Sequence, residues 1–331
     1  MKAIAYRTFG PARDVLRLED LPCPAPQAGE VTVDLAYSAV NPSDVKARAG
    51  ARVGVTELPW PAIVPHSDGS GVISAVGEGV DPARIGEQVW IWNGQWQRPL
   101  GTAAEQITLH SEQAVPLPEG ADLVTGAVLG IPGLTASHLV FGAGDVAGQT
   151  LLIQGGAGTV GHLAVQLAKW GGARVIATAS ADKRTHAEAA GADVVFDYAM
   201  EGLDQAILSA NDGKPVDQII EVEFGVNAEL DARVIAENGR IAAYGSARDM
   251  QPKMPFYPLM FKAVTLDLVL IYVLQSQPRA AAIKRLSQAL SEGALTPTIA
   301  EVLPLSDCAR AHEIVAQADR MGAVLLQTDA T

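Results

Sequence analysis

"LLIQGGAGTVGHLAVQLAKWGGARVIATASADKR", residues 151–184, decides how the chain folds. Leu151, Leu152 and Ile153 read as a strand, Gly156, Gly158 and Gly161 follow with GxGxxG spacing, and a helical pattern begins at 159. A strand before the glycines and a helix after them give the motif its meaning. Val160, Leu163, Ala164, Leu167 and Ala168 recur at helical spacing, so the helix has one apolar face for a sheet. In a dinucleotide fold Gly156 makes the tight turn, Gly158 lets the backbone approach a pyrophosphate, and Gly161 lets helix and strand pack closely. The N–H groups at the helix start then face the anion. A glycine-rich turn with no ligand is the plain alternative, and the order strand, loop, helix, strand favours the ligand.

The second strand ends Ala177, Thr178, Ala179, Ser180. An NAD-binding fold usually places Asp or Glu there, about 20 residues beyond the first glycine, to take the ribose hydroxyls. Small residues make room for a 2′-phosphate, Ser180 can donate to it, and Lys183 and Arg184 supply charge, so NADP(H) is expected. The plain reading of the two cations is a solvated first helical turn, and the missing acid is the stronger sign. The expectation rests on nothing anionic guarding residues 177–184.

Outward from this unit, strands and helices alternate: strand 150–154, helix 159–170, strand 174–179, helix 182–190, strand 193–196, helix 201–209, strand 217–222, helix 226–237 and strand 240–244. Alternation of this kind implies βαβ units and a parallel sheet. Residues 1 to about 120 have another texture, with short segments such as "VTVDLAYSAV" and "SGVISAVGEGV" between turns, and read as an irregular, mostly β domain. After about 262 come an apolar strand, helix 278–292, strand 299–303 and a last helix, 306–318. That tail can close back onto the first domain and make the nucleotide domain an insertion.

Composition narrows the function. A chain of 331 residues with 48% apolar and 18% charged residues is globular. A net charge of −13 repels phosphate backbones and anionic lipid, which argues against nucleic acid as the main partner. Cys23 and Cys308 lie far apart, so neither a disulfide scaffold nor a clustered metal site is indicated. The start, MKAIAYRTFG, has no stretch of signal-peptide type. The strongest apolar run, "AVTLDLVLIYVL" at 263–274, is shorter than the roughly 20 residues of a membrane span and carries Asp267. A cytoplasmic enzyme with no membrane partner is expected.

Several further segments, in order along nearly the whole chain, carry a family likeness: "YSAVNPSDVKARAG", "GSGVISAVGEGV", "GTAAEQITL", "GIPGLTASHLVF", the glycine loop, "IIEVEFGVN" and "NGRIAAYGS". The chain resembles the zinc-free quinone oxidoreductases, or zeta-crystallin family, of the medium-chain dehydrogenases/reductases. The resemblance implies an α/β protein: a GroES-like, mostly β domain at 1–121 and 263–331, and a Rossmann doubly wound parallel-sheet domain binding NADPH at 122–262. It places the pyrophosphate on Ala157, Gly158, Thr159 and Val160, and the 2′-phosphate near Ser180 and Lys183. Tyr198 matches a position bordering the adenosine phosphate. Asn227 with Tyr244, Gly245 and Ser246 match positions lining the ribose and bridge. The stretch from Val269 to Ile271 matches a segment holding the nicotinamide carboxamide. Asn41 and Lys46 resemble positions facing the nicotinamide. Three positions depart from the pattern: Thr159 stands where glycine is often found, His66 where glycine is usual before Asp68, and Ala103 where an aromatic is common.

Zinc relatives hold a catalytic ion through Cys, His and Cys. Here the first of these positions is Asn41 and the histidine position is Ser67, beside His66, so no metal is expected and His66 reads as structural or cofactor-side. Without zinc, the protein orients cofactor and acceptor and stabilises developing oxyanion character. A quinone or a conjugated enone suits this. Asn41 can donate from its amide while Asp44 or Lys46 shapes proton delivery; equally, Asn41 and Asp44 can simply stabilise the "NPSD" turn. Trp60, Trp92 and Trp96 can stack on a flat acceptor, whereas Trp90 reads as core. The apolar strand within 264–273 is the edge that pairs across a two-fold axis in the family, so a homodimer is expected. Two other functions stay open: a crystallin-like cofactor-binding protein with little turnover, and an acyl-thioester enoyl reductase, which the acidic balance does not favour.

Overall fold

The computed structural model describes residues 1–51, 54–317 and 319–329, and within them the chain divides into two compact units. Unit 1 comprises Met1–Ile131 and Pro297–Thr331, and unit 2 Pro132–Thr296. The sequence texture placed the boundaries at 121/122 and 262/263. Each falls later, because the segment before Ile131 supplies a backbone N–H to a side chain of unit 1 and the strand after 262 joins the parallel sheet of unit 2.

Unit 1 begins with a two-stranded antiparallel ribbon, β1 (Lys2–Ala5) and β2 (Arg17–Asp20). β3 (Glu30–Val40), β4 (Asp68–Val76), β5 (Gln88–Ile91), β6 (Gln106–His110) and β7 (Ala114–Pro116) follow. The helix Pro42–Arg48 starts at the end of β3, with proline at its first position, where a missing N–H costs nothing. Alternate residues of β3 point into a core of Val31, Val33, Leu35, Ile73, Val89, Ile91, Ile107 and Leu109.

Unit 2 carries six parallel strands: β8 (Thr150–Ile153), β9 (Arg174–Ala179), β10 (Val194–Asp197), β11 (Val216–Glu221), β12 (Ile235–Ala243) and β13 (Thr265–Leu268). Their order in the sheet is β10-β9-β8-β11-β12-β13, the doubly wound arrangement with its switch point beside β8. The helices Thr159–Trp170 and Phe224–Val234 follow β8 and β11. β13 is bonded to β12 in register Arg240↔Thr265 to Ala243↔Leu268 and forms the sheet edge, which is why the expected strand after 262 belongs here.

The tail returns to unit 1 through β14 (Ile299–Pro304) and β15 (Ala323–Gln327); β15 pairs antiparallel with β3, Val324 opposite Val40. Between them runs the helix Cys308–Ala316, preceded by a 3₁₀ turn at Leu305–Asp307. Residue 318, the expected end of this helix, lies outside the described residues. No helix among the described residues is long and apolar enough to cross a membrane.

Candidate active site

Parallel pairing brings the carboxyl ends of β8, β9, β11, β12 and β13 to one edge of unit 2, and the expected cofactor residues follow those ends. The left-handed turn after β8 is at Gly155 (φ +72°), not at Gly156. Gly156 instead packs under the second strand: a Cβ there would lie 2.9 Å from that of Ala177. A Cβ on Gly161 would lie 2.2 Å from the Gly155 carbonyl oxygen, so the helix approaches the loop too closely for any side chain. Gly158 differs, since its nearest neighbour would be the Gly155 oxygen at 3.4 Å and its φ is an ordinary −75°. The protein's own packing leaves room there, as a cradle for a bulky anion requires. The first helical bond is His162 N–H to Gly158 O at 2.7 Å, so the N–H groups of Thr159, Val160 and Gly161 precede it at the positive end of the helix dipole.

Ser180 follows the end of β9, and Tyr198 reaches the same place because its N–H donates to Ala179 O at 3.2 Å; its ring is 55% exposed. The expectation that nothing anionic stands at 177–184 is corrected. Asp182 is fully exposed there, and a hydrogen bond from Ser180 holds its carboxyl below the ordinary range, with Lys183 assisting. The Ser180 hydroxyl thus already has an anionic partner.

Under the loop lies a buried acidic network that the sequence reading missed. Glu221, at the end of β11, is wholly buried; Asn227 Nδ2 donates to both its oxygens at 3.1 Å, and the Glu223 N–H also donates to it. Asp231, one turn beyond Asn227 and also fully buried, accepts from Gln154 Nε2 at 3.3 Å, and Gln154 Oε1 accepts from Thr178 Oγ1 at 2.7 Å. Burial pushes the Glu221 carboxyl up to about 7, against the hydrogen bonds from Glu223 N–H, Asn227 and Asp231, and pushes Asp231 well above its ordinary value, with the charge of Glu221 adding to the rise. Burial, and then the charge of Glu221, raises the Tyr244 phenol, so it stays protonated. Asn227 therefore anchors Glu221, and Ser246 clasps a loop, its Oγ accepting from Gly225 N–H at 2.9 Å and donating to the Asp249 carbonyl. Gly245 leaves no room for a side chain, a Cβ meeting Val222 O at 2.3 Å. Val269 N–H is bonded to Ala243 O at 2.8 Å, and Ile271 is buried. A separate cavity of about 230 Å³, lined by Asp217, Gln218, Asn238 and Arg240 among others, lies at the opposite, amino-terminal ends of the strands. It is not where a doubly wound sheet binds its nucleotide.

In unit 1 the turn after β3 presents Asn41, 6% exposed, with Nδ2 donating to Asp68 Oδ2 at 2.7 Å. Asp44 Oδ2 accepts from Asn41 N–H at 2.8 Å, closing the turn as the plain reading required. Asp68 is fully buried; its other oxygen accepts from Ile131 N–H at 2.8 Å, and burial pushes its carboxyl well up, Asp44 adding to the shift. Lys46 is exposed on the same short helix. The tryptophans separate. Trp92 is 7% exposed with Nε1 donating to Glu112 O at 3.1 Å, so its assignment as a stacking surface is corrected. Trp60 and Trp96 are half-buried, and Trp90 is fully buried core.

His66 is not alone. Its Nδ1 lies 2.9 Å from Ser38 Oγ, its Nε2 2.8 Å from His312 Nε2, and Cys308 Sγ is 3.9 Å from that Nε2. All three residues are buried. The signal in the sequence was Cys308 and His312 at i, i+4, on one helix face. No local pattern linked them to His66, 246 positions from His312.

Comparison with known proteins places this geometry. Residues 27–146 match the alcohol dehydrogenase GroES-like domain, and residues 159–288 the model described as zinc-binding dehydrogenase. The quinone oxidoreductase of Sus scrofa is 30% identical over 95% of this chain and 93% of its own length, and that of Rattus norvegicus 29% identical over 98% and 97%. A mycobacterial protein solved in complex with NADPH superposes with a TM-score of 0.85 at 26% identity, over 99% of this chain and 100% of that one.

Proposed function

Because the chain belongs to the quinone oxidoreductase type of the medium-chain dehydrogenase/reductase family, we propose that it is an NADPH-dependent, zinc-independent reductase of a quinone or of a conjugated enone or enal. The observation that carries this reading is the cradle at Gly158, open at the head of the helix Thr159–Trp170 and beside a second strand that ends in Ala179 and Ser180 with no acid. NADPH, when bound, supplies the hydride. The N–H groups of Ala157, Thr159 and Val160 receive the pyrophosphate, and Gly158, whose own N–H is bonded to Gly155 O at 3.0 Å, leaves the space for it; Ser180, Lys183 and Tyr198 border the 2′-phosphate. Asn227 and Tyr244 to Ser246 line the ribose and bridge, and the backbone from Val269 to Ile271 orients the carboxamide.

On the acceptor side Asn41 offers the second N–H of its amide, beyond the one on Asp68, to a developing oxyanion. Asp44 holds the turn that aims it, Lys46 delivers a proton through solvent, and Trp60 and Trp96 supply flat apolar surface. Zinc independence is supported by the donor set: an amide at Asn41 and a hydroxyl at Ser67 stand where zinc relatives present thiolate and imidazole. A homodimer belongs to the same reading, since β13 is a sheet edge with Leu268 73% exposed. So does a cytoplasmic setting.

The test is oxidation of NADPH with a panel of quinones, enones and enals, before and after dialysis against a strong chelator. Turnover with at least one class, unchanged by chelation, is expected. No oxidation with any acceptor would favour the crystallin-like alternative, and turnover confined to acyl-thioesters would favour the enoyl reductase.

A further inference from the structure

Unit 1 contains a cluster that the proposed reaction does not use. His66, Cys308 and His312 each present one ligand atom, all within 4.8 Å of one another, and among the described residues this is the only such trio. We propose that His66 Nε2, His312 Nε2 and Cys308 Sγ form a buried three-coordinate site for a soft metal ion, copper(I), separate from the positions where zinc relatives bind their catalytic ion.

Hydrogen-bond direction orients the first ligand. Thr102 Oγ1 donates to the Asp68 carbonyl at 2.6 Å, so it accepts from Ser38 Oγ at 2.9 Å. Ser38 must then accept from His66 Nδ1–H, leaving a lone pair on His66 Nε2, aimed at His312 and Cys308. Anchoring the far ring nitrogen in this way is how proteins position ligating imidazoles. The backbone agrees. His66 holds φ +76°, a conformation in which a non-glycine residue is strained, and strain of this kind gathers where a side chain has a use.

Charge and coordination number select the ion. The site is buried, and its two nearby charged side chains, Asp44 and Arg48, are of opposite sign. A monovalent ion on a thiolate is neutral, whereas zinc(II) would leave a buried positive charge. Thiolate and imidazole without a fourth side-chain ligand suit copper(I). On binding, the thiol proton leaves to solvent as the metal–sulfur bond forms. The proton between the two Nε2 atoms moves to His312 Nδ1, which is buried without a hydrogen-bond partner among the described residues. No electron is transferred. Two nitrogens bound to one ion at ~2.0 Å stand about 3.5 Å apart, so the two Nε2 atoms, now 2.8 Å apart, separate by about 0.7 Å while the sulfur closes from 3.9 Å.

The experiment uses the full chain carrying Cys23→Ser, which removes the partly exposed second thiol. The protein is expressed with copper or zinc supplementation, purified anaerobically against a copper(I) chelator, and its metal content measured. About one copper per chain is expected, with X-ray absorption showing two nitrogens and one sulfur and a raised Tm. Adding Cys308→Ser, or His66→Gly, which suits the positive φ, should cut retained copper at least about tenfold while far-UV circular dichroism stays folded. Equal copper with and without Cys308→Ser, a first shell lacking sulfur, or retention of zinc with no copper would each overturn the site.

Discussion

At the scale of single residues, two side chains carry roles that number and spacing alone left open. Asn41 is both the cap of a turn and the donor to a buried carboxyl, so Asn41→Ala removes one of the two hydrogen bonds holding Asp68. Its expected cost is about 1–3 kcal/mol in urea unfolding, the usual penalty for stranding a buried polar group. If the amide also polarises the acceptor, kcat falls at least about tenfold; unaltered kcat and KM would leave Asn41 as a structural residue only. Asp182 is the anion that the reading of 177–184 overlooked, because it lies past the strand end where the ribose acid is normally sought. Asp182→Asn is expected to tighten NADPH by about two- to fivefold, the range of an exposed charge interaction, and to leave NADH nearly unchanged in calorimetry. Tighter binding of NADH than of NADPH by the unsubstituted protein would contradict the cofactor assignment itself.

At the scale of elements, the glycine loop separates folding from binding. Gly161→Ala forces a Cβ to 2.2 Å from the Gly155 oxygen and is expected to destabilise unit 2 by about 1–3 kcal/mol or more. Gly158→Ala meets nothing closer than 3.4 Å and should fold with a Tm near that of the parent, yet weaken NADPH at least about tenfold by filling the cradle. Equal losses of stability in the two variants would remove the distinction. The junction of β11 with the helix Phe224–Val234 has its own signature. Glu221 is protonated up to about 7 when folded, against an ordinary 4.5, so between those values the folded state binds more protons than the unfolded one. Its contribution is therefore intact below pH 4.5 and is lost as pH rises towards 7. Glu221→Gln should flatten that part of the stability curve, measured by chemical unfolding across this window; an unchanged slope would place the titration elsewhere.

At the scale of the whole molecule, the exposed edge of the nucleotide sheet bears on assembly. β13 ends the strand order, and Leu268, Leu270 and Val273 are 73%, 54% and 59% exposed. A bare apolar edge invites pairing with another strand. Leu268→Lys is expected to turn a dimer into a monomer at micromolar concentration in light scattering, without loss of secondary structure. A parent protein that is already monomeric would remove the homodimer from the proposed function.

The doubly wound sheet was legible from residues 151–184 and the alternation beyond them, because a strand, a glycine turn and an amphipathic helix are each set by neighbours a few positions apart. The same local logic marked Gly158, Gly161 and Ser180, set by a strand end and a short loop, whereas Tyr198 came from the family resemblance alone. Only the tertiary structure joined Glu221 to Asp231 and Gln154, assigned the left-handed turn to Gly155, buried Trp92, and set His66 against Cys308 and His312. Those arrangements depend on which segments the chain brings together across tens to hundreds of residues. The free energy of burying and pairing such groups arises at contacts that no local window of sequence contains.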